Sequence, residues 1–185
     1  MNPFPNRPVL KVAVLGFVSS FLGVAAMGAE TGSLDEHLEV FRPLLGKTWR
    51  GEFKESTPEK PLFDVARWER ALNGKAVRQV HSVNEGVYGG ETIIQWDNDK
   101  KTVVYHYFTT AGFSTTGTMQ PDGKKFTALE QVHGSANGIT DVRSTEELRA
   151  DGSFLVKAEY LKNGEVAGTR EVLYKEDSKA EVKFK

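Results

Sequence analysis

The side chains best suited to chemistry in this chain are four histidines, His37, His81, His106 and His133, and one adjacent acid pair, Glu146 and Glu147. Neighbouring residues of a strand point to opposite faces, so Glu146 and Glu147 do not flank one substrate as a glycosidase pair must. The sequence holds no phosphate loop, no His-Glu-x-x-His, no Gly-x-Ser-x-Gly and no dinucleotide fingerprint. It also lacks cysteine, which excludes thiol catalysis, zinc–thiolate sites and disulfides. What remains is imidazole chemistry. His81 and His106 fall mid-strand; facing one lumen with Glu69 or Gln95, they would hold a metal or a haem iron. Facing apart, they are ordinary hydrogen-bonded strand histidines. No spacing selects the first arrangement, so no catalytic residue, metal or cofactor is assigned.

The elements that would carry these groups are announced by turn residues. The stretches "LNGK", "DNDK", "PDGK", "ADGS" and "KNGE" supply the positive φ that tight hairpins require. Between them lie runs rich in Val, Thr, Tyr and Phe, such as "KTVVYHYFTT" and "SFLVKAEYL". Roughly ten strands result, starting near residues 47, 62, 75, 91, 101, 113, 124, 139, 153 and 165. A meander of that length has to close or split to hide its edges, and closure into an up-and-down barrel is the simpler outcome. Ahead of it, Ser33 and Glu36 have the form of a capping box, and Leu34, Leu38, Phe41 and Leu45 form one helical stripe. Pro43 should end that short helix near Arg42. The expected fold is therefore all-β: a single antiparallel up-and-down β-barrel with a short N-terminal helix.

Hairpin registers place some side chains together. With Asn73 and Gly74 as the turn, Trp68 faces Gln79, Glu69 faces Arg78 and Ala66 faces His81. One face then carries Arg67, Glu69 and Arg78; the other carries Trp68, Arg70, Gln79 and His81. Either face suits a lumen for a partly polar ligand or a solvated exterior with cross-strand ion pairs. In the next hairpin Ile94, Trp96, Val103, Tyr105 and Tyr107 share a face, and this aromatic face is expected inside. The candidate ligand-binding residues are thus Trp68, Arg70, His81, Tyr105 and Tyr107, with Arg70 available for a ligand carboxylate.

The first residues read as an export signal. Arg7 and Lys11 precede the apolar run "VAVLGFVSSFLGVAA" and then the small residues "AMGAE". That run is short for a membrane span. The expected organisation is a signal peptide over 1–28, a barrel domain over 29–175 and a charged, solvated tail over 176–185, with no membrane span after cleavage. Removing two positive charges takes the net charge from −1 to −3, which gives no reason to expect nucleic acid. The expected location is the periplasm or the medium of a bacterium. The expected partner is a small, partly apolar molecule.

A glycine and tryptophan opening the first strand, in "LLGKTWRGEF", after a short helix, resemble the lipocalin and wider calycin group. The order "RWERALNGKAVRQ", "GETIIQWDNDKKTVVYHYF" and "GTMQPDGKKFT" is similar to an uncharacterised bacterial family of exported lipocalin-like barrels. The resemblance implies that Trp49 plugs the closed end of the barrel and that Arg170, in "GTREVLY", covers its ring. It implies no reaction. Two alternatives stay open: a small-barrel enzyme or metal- or haem-binding barrel using His81 or His106, and a filled barrel acting through its outer surface.

Overall fold

The computed structural model describes residues 32–134 and 137–185; the expected signal segment lies outside them. Ten antiparallel strands follow in chain order: β1 (Thr48–Phe53), β2 (Phe63–Ala71), β3 (Ala76–Val83), β4 (Tyr88–Asp97), β5 (Thr102–Thr109), β6 (Ser114–Asp122), β7 (Lys125–His133), β8 (Asp141–Leu148), β9 (Phe154–Lys162) and β10 (Glu165–Glu176). Each pairs with its neighbour in sequence, and β1 pairs with β10, so the sheet is a closed barrel without a free edge.

The first hairpin register is as the turn chemistry predicts, with Trp68 opposite Gln79, Glu69 opposite Arg78 and Ala66 opposite His81. Its turn is longer than two residues: Leu72, Asn73 and Gly74 all take positive φ, and the strands resume pairing at Ala71 and Ala76. The face bearing Trp68 and His81 turns inward. Glu69 lies outside, bridged to Arg67 at 2.7 Å and Arg78 at 3.0 Å.

The N-terminal helix differs from expectation. It is a 3-10 helix over Glu36–Leu44, and its cap is Asp35, whose carboxylate accepts from the His37 amide at 3.2 Å. Pro43 sits inside it rather than beyond it, one residue before its end. The expected stripe does face the barrel: Leu38, Phe41 and Leu45 are buried. Phe41 stacks on Phe126 at 5.1 Å and on Trp68 at 6.0 Å, and His37 stacks on Trp96 at 3.8 Å. The helix thereby seals one end. Trp49 lies just beneath it, 2% exposed, its indole N–H donating to the Leu44 carbonyl at 3.3 Å.

The charged tail is largely exposed and runs back over β3 and β4. The Lys183 amide donates to Ser82 Oγ at 2.9 Å, and its ammonium pairs with Glu85.

Candidate functional site

Above the sealed end the barrel is not filled. A cavity of about 490 Å³ occupies the lumen and rises toward the loops that follow β5, β7 and β9. Its floor is apolar, formed by Trp49, Ala66, Trp68, Ile94, Met119 and Phe154. Its upper half carries a concentration of buried polar groups, on two facing walls.

One wall is a hydrogen-bonded chain across β2 to β5 and β10. Asp64 sits opposite Val83 and is 3% exposed. It accepts from His81 Nδ1 at 2.9 Å and from the Tyr174 hydroxyl at 2.6 Å. The other ring nitrogen, Nε2, lies 2.8 Å from the Tyr107 hydroxyl, which lies 2.8 Å from the Tyr88 hydroxyl, so one hydrogen-bonded chain runs from Asp64 to Tyr88. Burial alone would raise the Asp64 carboxyl. The hydrogen bonds and charge of His81, the Tyr174 hydroxyl and the Arg170 charge outweigh burial and hold it below the usual carboxylate range. Burial pushes the hydroxyls of Tyr88, Tyr107 and Tyr174 up, so they stay protonated.

The other wall is acidic. Glu130 on β7 accepts from Thr115 Oγ1 at 2.7 Å. Glu146 on β8 faces the lumen with no hydrogen bond or ion pair among the described residues. Burial, and then the Glu130 charge, push its carboxyl from 4.5 up to about 7, against the pull of Arg170. The Tyr105 hydroxyl lies beside Glu130, buried and without a well-aligned hydrogen bond. Arg170 stands between the two walls. Its Nε is buried without a partner.

Glycines give the tyrosines their places. A Cβ on Gly117 would lie 2.5 Å from the Tyr105 ring, and one on Gly51 would lie 2.6 Å from the Tyr174 ring. Each glycine is the cross-strand partner of its tyrosine. The missing side chain lets the ring lie against the wall rather than across the lumen.

The expected site residues separate accordingly. Trp68, His81, Tyr105 and Tyr107 line the cavity together. Arg70 does not: it lies at the sealed end, where its Nε donates to the Ser33 carbonyl at 2.5 Å, so it offers nothing to a lumen carboxylate. Arg170 does not cover Trp49. The residue opposite Trp49 is Glu176, and Arg170 lies six positions further along β10, roughly 20 Å away at strand rise. Its guanidinium is instead 5.5 Å from the Phe53 ring, and the cation near Trp49 is Lys47, at 5.7 Å. His81 and His106 do not meet: His106 is exposed on the outer face. Among the described residues no three His, Asp or Glu side chains gather as metal ligands. The sequence reading missed Asp64, Tyr88, Glu130 and the lumen position of Arg170, and it weighed Glu146 only as half of a glycosidase pair. A signal was present, since "FTALEQV" and "DVRSTEEL" each carry one acid within an otherwise small or apolar alternating row.

No family model and no curated protein matches the chain. Among solved structures it is similar to Rv2717c from M. tuberculosis, at 12% identity with a TM-score of 0.58, covering 78% of this chain and 99% of that one. At that identity the likeness carries the fold alone.

Proposed function

We propose that this protein is an exported binding barrel that holds one small molecule, partly apolar, in its lumen without transforming it. The observation that carries the reading is the cavity of about 490 Å³, sealed below by Trp49 and the 3-10 helix, with an apolar floor and convergent polar groups above. The ligand's apolar body would rest on Trp49, Trp68 and Phe154, and its polar end would meet Arg170, Tyr88 and the acidic wall. The lipocalin-like affinity suggested by Gly46 and Trp49 agrees with a container fold, and export agrees with the N-terminal sequence. An open lumen counts against a filled barrel that acts only through its outer surface. Native mass spectrometry of the protein purified from an exporting host tests the proposal. A reproducible added mass that is lost on unfolding is the expected result; a bare polypeptide mass from every preparation would count against it.

A second reading rests on one observation, the Glu146 carboxyl poised near neutrality in a cavity, as a general acid or base must be. It would require turnover of a lumen-bound molecule that disappears in Glu146→Gln.

A further inference from the structure

The two carboxyls of the β7–β8 wall, Glu130 and Glu146, make no ion pair among the described residues. Asp64 and Arg170 offset each other: each shifts the other toward its ionised form, and His81 and Tyr174 complete the shell of Asp64. That leaves Glu130 and Glu146 as surplus. Glu130 has a neutral hydroxyl donor in Thr115, and Glu146 has neither a hydrogen bond nor an ion pair among the described residues. An uncompensated buried carboxylate is costly, so such a group keeps its proton or finds a cation. The same wall also holds an open hydrogen-bonding position. The Tyr105 hydroxyl, on a residue only 5% exposed, is unpartnered on this wall.

We propose that the β7–β8 wall, formed by Glu130, Glu146 and the Tyr105 hydroxyl, is a site for an ammonium group, and that the ligand of this barrel is a lipophilic amine. This rests on the reading of the lumen as a binding cavity. An ammonium supplies three donors and one positive charge, which matches two carboxyls and one hydroxyl. Its hydrocarbon part lies on the floor of Trp49, Trp68 and Phe154. A ligand carboxylate, by contrast, gains Arg170 but must approach two surplus acids.

The proposal has a proton signature. Facing Glu146 are Glu130 from β7, Tyr105 from β5, Tyr160 from β9, and Arg170 and Tyr174 from β10, with the Asp64–His81–Tyr107–Tyr88 chain across the lumen. Of these, Glu130 holds the Glu146 proton on and Arg170 loosens it. A bound ammonium acts as Arg170 does, so binding drives the proton off. Amine affinity then rises between about pH 6 and pH 8, and protons appear in the buffer.

Calorimetry of the intact protein with octylamine, octanol and octanoate tests this. Near pH 8 octylamine should bind at least about tenfold more tightly than octanol, a margin of about 1.4 kcal/mol, with octanoate weaker still. Titrations in two buffers of different ionisation enthalpy should show proton release. Glu146→Gln should remove the preference for the amine while octanol binding is retained; Glu130→Gln is the second variant should the first not fold. Octanoate binding as tightly as octylamine, or an amine preference unchanged in both variants, would overturn the ammonium site and leave the binding lumen standing. Failure of all three probes to bind would overturn both.

Discussion

The two halves of the barrel are built from the same strands and held by different forces. Around the sealed end the contacts are apolar and aromatic: Phe41 on Phe126 and Trp68, His37 on Trp96, and Trp49 tilted against Phe154. Around the open half the lumen adds acids, tyrosines, one histidine and one arginine to apolar residues such as Phe113, Val132 and Ile139. The lower half has its stability from close packing, which loses energy wherever an atom is removed. The upper half holds charge within the barrel, which contributes little net stability and is retained where something must be recognised. The contrast predicts that deletions below cost stability, whereas at least one neutralisation above increases it.

The largest effect is expected at the base. Trp49→Ala should lose about 3–5 kcal/mol in urea denaturation through the cavity it leaves; a loss below about 1 kcal/mol would mean that the sealed end does not depend on its tryptophan. Next comes the one upper-half charge that is fully satisfied. Asp64→Asn should cost about 2–4 kcal/mol near pH 7, because Arg170 loses its counter-charge and His81 its acceptor. The folded Asp64 carboxyl lies below its ordinary value, so its contribution is present above about pH 4 and fades as the pH falls through the folded value. The penalty of the substitution should shrink over that range.

Glu146 should behave in the opposite sense. Its folded carboxyl is raised from 4.5 to about 7, so the native state keeps a proton that the unfolded chain has lost, and stability falls as the pH rises across that interval. Glu146→Gln should therefore stabilise by about 1–3 kcal/mol near pH 8 and have little effect near pH 4; a melting-temperature series against pH reads both. A destabilised Glu146→Gln at high pH would erase the distinction between the halves. The smallest effect belongs to the exterior. Lys183→Ala, which removes the exposed pair with Glu85, should leave the melting temperature nearly unchanged, and more nearly so in high salt.

Much of this division is foreshadowed along the chain, and unevenly. Asn-Gly and Asp-Gly turns set the hairpin registers, and an aromatic alternation such as Val103, Tyr105 and Tyr107 selects its own inward face, so the closed barrel and the aromatic part of the lumen follow from local patterns. The acids are harder. A single Glu in a strand looks alike whether it faces water or a cavity, and only its row decides: Phe126, Ala128, Glu130 and Val132 share one face, as do Val142, Ser144, Glu146 and Leu148. Arg70 and Arg170 were exchanged in role because parity places a side chain on a face but not at a height. Arg70 has the right face at the sealed end, and Arg170 has it within the cavity. The 3-10 character of the helix was hidden because a stripe at positions 34, 38, 41 and 45 suits either helix, and only Pro43 hints at the tighter one.

The central claim is that a small molecule enters the lumen and rests on the tryptophan floor. The chain has three tryptophans, of which Trp49 and Trp68 line the cavity while Trp96 packs under His37. Their three indole N–H signals can be followed by NMR as octanol is added. A saturable shift of the Trp49 and Trp68 signals, with Trp96 unmoved, is the predicted result; no shift at all, or equal shifts in all three, would contradict it.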